Sequence, residues 1–301
     1  MLIPVSACVC AIVVTYNRKI LLQECLDALL TQTHPPDRIL VIDNASADGT
    51  AEALRTNGYL EKKLIEYIGL PLNIGGAGGF HEGIKRAYQQ GFDWLWLMDD
   101  DSIPEPDALH RLFVAYYQFD EANRPKLLAS KVVWTDGSLH PMNPPIVKVA
   151  APESLLLAAQ HATASIRCNT FVSLLLHRSL VEKYGLPVAD YFIWSDDIEY
   201  TARILRYEFG VIVPNSVVWH KTAKKYTHMN DAGPRYYYHL RNNLWIITRS
   251  QAFSRKEKIK ETLRIISEIP VYLVRSSLKW SSLRAVTFGL IDGIFKSPKK
   301  Q

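Results

Sequence analysis

Four short apolar runs in the first hundred residues, Ala7 to Thr15, Arg38 to Asp43, Leu64 to Ile68 and Trp94 to Met98, alternate with stretches of helical spacing. The runs suit buried strands. Between them, Leu21, Leu22, Cys25, Leu26, Leu29 and Leu30 recur at helical spacing over Ile20 to Thr31. Thr50 to Thr56, after Ser46, reads as a helix closed near Gly58, and Glu82 to Gln90 as one ended by Gly91. Strand–helix alternation of this kind predicts an α/β fold with a parallel, doubly wound sheet.

The middle of the chain is less regular. Leu127 to Trp134 reads as strand, with a turn at Asp136-Gly137, and Pro141 to Pro152 as loop. Ser165 to Leu176 is strand-like, Tyr200 to Phe209 helical and Val211 to Val213 strand again. A tyrosine-rich helix, Tyr236 to Thr248, leads into a long amphipathic basic segment in which Pro270 predicts two helices. The expected organisation is an α/β domain over residues 1–230 and a helical basic extension over 231–301.

Composition excludes several classes. With 301 residues, 48% hydrophobic and 22% charged, the chain reads as globular, large enough for one big core or two modest ones. The four cysteines lack zinc-site spacing and suggest no disulfide framework, so a reducing cytoplasm is expected. The N-terminal run has no basic segment before it and reads as the first strand, not a secretory signal. No apolar stretch reaches the roughly 18 residues of a membrane span.

Asp99, Asp100 and Asp101 follow the run Trp94 to Met98 directly. A strand ending in adjacent carboxylates delivers negative charge to the sheet rim where ligands bind in open α/β sheets. Alternation sends Asp99 and Asp101 to one side and Asp100 to the other. Two hard oxygen ligands there suit Mg²⁺ or Mn²⁺, above all with a phosphate-bearing substrate. A solvated acidic turn is the plainer alternative. Thr15-Tyr16-Asn17 end the first strand and Asp43-Asn44 the second, and parallel strands bring both to the rim of Asp99. Each alone reads as turn chemistry, but their convergence favours a nucleotide base and ribose. Asn73-Ile74-Gly75-Gly76-Ala77-Gly78-Gly79 reads as a glycine-rich loop before a helix, able to approach phosphate and sugar closely. It has neither Walker nor Rossmann spacing.

A second acidic cluster, Trp194-Ser195-Asp196-Asp197-Ile198-Glu199-Tyr200, crowds three carboxylates into four residues. Crowding raises at least one pKa, which suits a general base; a helix N-terminus would equally favour acids. His220, beside Trp219, could be a core histidine or a third metal ligand, acceptable to Mn²⁺ and less suited to Mg²⁺.

Taken together, these segments resemble the inverting family-2 glycosyltransferases of GT-A fold over about the first 245 residues. The resemblance rests on VVTYNR, IDNAS, MDDD, WSDDIEY and the Trp219-His220 pair, in matching order and spacing. It implies a Rossmann-like, mostly parallel sheet flanked by helices, with a C-terminal helical extension, a nucleotide-sugar donor and a divalent metal. By this likeness Asp99, Asp101 and His220 match the metal ligands and Asp43 the residue that reads the base. Asp197, with Asp196 beside it, matches the acceptor-activating base. The expected substrate-binding residues are Thr15, Tyr16, Asn17, Asp43, Asn44, Asn73, Gly75, Gly76, Asp100 and Trp194.

A finer likeness, on NIGGAGGFHEGI with the later acidic motif and Trp219-His220, is to galactofuranosyltransferases that use UDP-galactofuranose. Related rhamnosyltransferases share Arg235-Tyr236-Tyr237-Tyr238, Arg241-Asn242 and Gly289 to Gly293. The large extra domains of the long polymerising members are not in this sequence, which implies addition of one or a few residues. The implied function is transfer to a glycan or lipid-linked acceptor in cell-surface polysaccharide synthesis, such as O-antigen. Rival readings are a rhamnosyl- or other hexosyltransferase, a sugar nucleotidyltransferase, and a catalytically silent nucleotide- or glycan-binding module.

The net charge of +5 is uneven. From Gln251 to Gln301 eleven Lys and Arg stand against four Asp and Glu, a net of +7 that leaves about −2 for the rest. Ile259, Leu263, Ile266, Ile269, Leu273 and Val274 recur at helical spacing among Lys256, Lys258, Lys260, Arg264 and Arg275. Such a helix can lie on an anionic membrane surface, here the inner face of the plasma membrane, or pack on the domain with its basic face solvated. Nucleic-acid binding is disfavoured, since the basic patch lacks interleaved aromatic platforms.

Overall fold

The computed structural model describes residues 7–225, 233–276 and 279–299. β1 (Val9–Thr15) leads through α1 (Lys19–Leu30) to β2 (Arg38–Asp43), and α2 (Thr50–Thr56) to β3 (Ile65–Gly69). α3 (Gly75–Gln89) then returns the chain to β4 (Trp94–Asp99). These four strands are parallel, side by side in the order β3-β2-β1-β4. Every residue of β1 is buried. Val9, Ala11 and Val13 enter one hydrophobic cluster with Leu22, Leu26 and Leu29 of α1. Cys10, Ile12 and Val14 enter another with Phe80 and Ile84 of α3. Period-two alternation in a strand covered on both faces therefore builds two cores.

The second half of the sheet is mixed. β5 (Ser102–Pro104) and α4 (Ala108–Gln118) precede β6 (Leu127–Val133), and β7 (Ile146–Val147) and α5 (Pro152–Gln160) precede β8 (Ala164–Cys168). β9 (Leu174–His177), α6 (Arg178–Tyr184) and α7 (Asp196–Leu205) lead to β10 (Gly210–His220). The strand order is β3-β2-β1-β4-β9-β6-β10-β8-β7, with β5 paired to β10. β9 is antiparallel to both β4 and β6, whereas β6 and β10 are parallel. α8 (Tyr236–Arg249), α9 (Arg255–Arg275) and α10 (Trp280–Phe295) share a cluster in which Tyr236 stacks on Tyr272 at 3.7 Å. α8 also sends Trp245 and Ile246 into a cluster with Ala77 of α3 and Tyr191.

Three expected boundaries differ. The glycine-rich segment is not a loop before the helix: from Gly75 onward it opens α3 itself. A Cβ at Gly79 would stand 2.5 Å from Val14 Cγ1, and one at Gly83 2.5 Å from Ile12 Cγ2. Its later glycines thus serve close helix–sheet packing, which outweighs their poor helix propensity. Pro270 does not divide the basic segment; α9 runs unbroken past it from a Ser254–Glu257 capping box. Pro270 lies on the exposed side, where water can satisfy the carbonyl left without its N–H. The strand expected over Ser165 to Leu176 is interrupted after Cys168 and resumes at Leu174, past a left-handed Ser173 (φ 53°).

Candidate active site

Register sets the rim. Thr15 pairs with Asp43 and Val14 with Asp99, so β1, β2 and β4 end level. After Asp99 the chain turns through Asp100 and Asp101 into β5, which runs antiparallel to the end of β10 with Ser102 opposite His220. The Lys221 N–H donates to the Asp101 carbonyl at 2.8 Å. A β-bridge thus brings a histidine more than a hundred residues away onto the aspartates.

The three aspartates have different partners. Buried Asp100 accepts from the Thr15 hydroxyl at 2.8 Å and from the Arg18 guanidinium at 3.2 Å. Arg18 also pairs with Asp101 Oδ2. Asp101 Oδ1 is buried 3.1 Å from His220 Nε2 without a well-directed hydrogen bond. His220 Nδ1 lies 2.8 Å from Asn143 Oδ1. An amide oxygen only accepts, so Nδ1 carries the proton and a neutral ring turns its Nε2 lone pair to the carboxylate. Two acceptors so close call for a proton or a metal ion between them.

Asp99, Asp101 and His220 each offer a ligand atom within 4.8 Å of the others. Burial and the charge of Asp101 push Asp99 up to about 6 and Asp100 up to about 7. Burial acts on Asp101 too, but His220 and Arg18 outweigh it and hold that carboxyl down at about 2. For His220, burial favours the neutral ring, yet Asp101 beside it raises the pKa overall. Two carboxylate oxygens and an imidazole fit a divalent ion, which would let both aspartates stay ionised.

The second acidic cluster forms the first turn of α7. It follows a strained turn in which Phe192 (φ 65°), Trp194 (φ 66°) and Ser195 (φ 69°) are all left-handed without being glycine. Such residues cost on the order of 1–3 kcal/mol each and persist only where their surroundings over-determine them. Asp196 is buried and Asp197 half-buried on the cavity wall. Burial, with Asp99 nearby adding to it, pushes Asp197 up to about 7. Burial and the charge of Asp197 raise Asp196 well above the carboxylate range. Glu199 is occupied elsewhere, by Arg203 at 2.9 Å and the Ser250 hydroxyl at 2.6 Å.

A cavity of about 930 Å³ joins the two clusters. It falls within the roughly 300–1,000 Å³ of small-molecule sites. Thr15, Tyr16, Asn44, Asn73, Gly75, Gly76 and Trp194 line it with Asp99, Asp100, Asp101, Asp196, Asp197 and His220. Asp43 and Asn17 are not among its lining residues. Asp43 is buried, accepting from the Ser46 N–H at 2.8 Å and the Tyr67 hydroxyl at 2.6 Å. Asn17 takes the Ala47 N–H at 2.7 Å and ties the β1 and β2 ends together. Sequence reasoning missed Arg18 and Asn143 as site residues. Arg18 stood in the quoted VVTYNR segment, whereas Asn143 carried no signal in its proline-rich stretch. It also missed Arg235, Lys260 and Arg264, which bring the helical extension into the cavity wall.

The family model for glycosyl transferase family 2 matches residues 10–181. The galactofuranosyltransferase GlfT1 of Mycolicibacterium smegmatis is 28% identical over 219 residues, covering 66% of this chain and 65% of that relative's length. Among solved structures, S. aureus TarS in complex with UDP-GlcNAc superposes with a TM-score of 0.61 at 15% identity. That match covers 95% of this chain and 81% of TarS 1-349. The mannosyltransferase PcManGT from Pyrobaculum calidifontis, in complex with GDP-Man and Mn²⁺, gives 0.58 at 16% identity, covering 96% and 81%. These two likenesses establish the GT-A fold.

Proposed function

The chain belongs to glycosyl transferase family 2, and from that premise we propose that it transfers galactofuranose from UDP-galactofuranose, with inversion, to a glycan or lipid-linked acceptor. One observation carries the reading: Asp99, Asp101 and His220 open onto the same cavity as Asp196 and Asp197. Mn²⁺ or Mg²⁺ held by the first three would supply the charge neutralisation that a departing diphosphate needs. Asp197 takes the proton of the acceptor hydroxyl as that oxygen attacks the anomeric carbon from the face opposite the diphosphate. One displacement inverts configuration, and no covalent sugar–enzyme intermediate is required. Thr15, Tyr16, Asn44, Asn73, Gly75, Gly76 and Trp194 offer the wall against which base, ribose and sugar are oriented. Asp100, held by Thr15 and Arg18, keeps the metal-binding turn in shape. Asp43 would read the base once the Tyr67 hydroxyl gives way to it, with Asn17 holding the neighbouring loop.

Similarity to GlfT1 supports the choice of donor. The extension over 231–301 is proposed to meet an anionic membrane surface, which would bring a lipid-linked acceptor to the cavity mouth. The test is donor binding and hydrolysis across a panel of nucleotide sugars with Mn²⁺, Mg²⁺ or EDTA. Preference for UDP-galactofuranose that EDTA abolishes is the expected result. Metal-dependent preference for dTDP-rhamnose or UDP-galactopyranose would overturn the donor and keep the chemistry. Binding of no nucleotide sugar would overturn the whole reading.

A further inference from the structure

The Arg241-Asn242 pair of α8 lies outside the metal site and outside the residues lining the cavity, yet both side chains are buried. Asn242 Nδ2 lies within 3.0 Å of three carbonyl oxygens, those of Tyr191, Ile193 and Trp194. Arg241 Nη2 lies 2.9 Å from the carbonyls of Asp190 and Tyr191. Arg241 also donates to Asn242 Oδ1 from Nε at 2.9 Å and Nη2 at 2.8 Å. That contact fixes the amide, because an oxygen engaged by a guanidinium leaves only the NH₂ to face the carbonyls. The guanidinium is itself held over the Trp245 ring at 4.2 Å.

These carbonyls belong to the left-handed turn that precedes α7. The far side of that turn is held as well. The Phe192 carbonyl accepts from the Ala77 N–H at 3.1 Å, and a Cβ at Gly75 would stand 2.0 Å from the same oxygen. The turn is gripped between the first turn of α3 and the middle of α8, and its end fixes where Asp197 faces the cavity.

We propose that Arg241 and Asn242 are positioning residues that hold the 190–195 turn, and through it Asp197, in the geometry for proton transfer. The inference rests on the reading of Asp197 as the base. It makes α8, within the extension, part of the catalytic apparatus.

The test is Asn242→Asp, nearly isosteric but without the donating amide, assayed as turnover of the donor found in the panel, with UDP binding in Mn²⁺ measured alongside. A misplacement of about 1 Å can cost on the order of 10²-fold in rate. The expected result is kcat lowered on that scale and by more than donor KM rises, with UDP affinity in Mn²⁺ within about threefold of the parent. The double variant Asn242→Asp/Asp197→Asn should be no slower than Asp197→Asn alone, because the first residue acts through the second. Unchanged kcat, an equal loss in KM, or multiplying losses in the double variant would overturn the inference. If Asn242→Asp yields no folded protein, Arg241→Lys, which keeps the charge but not the fork, is held to the same outcomes. An active Asp197→Asn enzyme would sink the base assignment instead, and the kcat–KM split would still report on the turn.

Discussion

Asp197 and Asp101 line one cavity and are expected to fail differently when changed. Asp197→Asn removes the proposed proton acceptor and leaves the candidate metal-binding trio intact. Turnover is expected to fall by about 10²–10⁴-fold while UDP binding in Mn²⁺ is spared. Asp101→Ala strips a proposed metal ligand and the partner of both His220 and Arg18, so turnover and metal-dependent UDP binding are expected to fall together. Steady-state kinetics with calorimetry separates the two. The pH dependence follows from burial, which pushes Asp197 up to about 7. A base works deprotonated, so turnover should rise with pH through about 7 and lose this limb in Asp197→Asn. For stability the sign is opposite. A carboxyl whose folded pKa exceeds its unfolded value of ~3.9 favours the fold while protonated and loses that contribution as pH climbs through the folded pKa. Asp197→Asn should therefore raise Tm relative to the parent more at pH 8 than at pH 5; an equal shift at both would contradict a carboxyl raised to about 7. Asp196 makes the same demand, raised by burial and by Asp197.

Among the elements, the strands were legible because burial leaves a direct signature: short apolar runs, of which β1, β2 and β4 end in polar residues. That made the convergence of Thr15, Asp43 and Asp99 on one edge foreseeable, and the register bears it out. Helices were legible where apolar spacing governs, as in α1, and illegible where packing overrides propensity. No local rule makes a helix of Gly75-Gly76-Ala77-Gly78-Gly79; the close approach to β1 and to Phe192 does. His220 was found as a residue, but its partner Asn143 was not, because the bond joins a proline-rich stretch to a strand end 77 residues on. Arg241-Asn242 was visible as a motif, while its carbonyl partners exist only once α8 lies on the turn. Gly75→Ala probes this level. Its Cβ would meet the Phe192 carbonyl at 2.0 Å, and φ is +77°. Backbone strain of this kind costs about 1–3 kcal/mol, readable as a lower denaturant midpoint with little change in m-value. Activity should fall further than stability, since the displaced turn carries Asp196 and Asp197.

For the molecule as a whole, the C-terminal helices combine exposed apolar side chains with a basic segment. Amphipathic spacing alone left two arrangements open for the basic segment, with its apolar face turned inward or outward. In the structure Ile265 and Tyr272 point into the helical cluster, whereas Ile259, Leu263 and Ile266 are each more than 60% exposed and Val274 is 73% exposed. α10 adds Trp280 at 74% and Phe295 at 79%. Glu257, Lys260, Glu261 and Arg264, on another side of α9, line the cavity. No helix among the described residues is long and apolar enough to cross a membrane. An outward apolar stripe with exposed Lys256 beside it, on a segment of net charge +7, fits an interface that is apolar below and anionic above. A two-fold contact between copies would set this basic surface against itself, which like-charge repulsion disfavours. The protein is expected to pellet with anionic phosphatidylserine-containing liposomes at low salt and to be released as ionic strength rises, since each Lys or Arg contributes only about 1 kcal/mol near the surface. Leu263→Glu with Ile266→Glu should abolish pelleting and leave UDP binding intact, because neither residue lines the cavity. Equal recovery with neutral vesicles, or an oligomer in solution that the same double substitution dissolves, would assign the face to another partner.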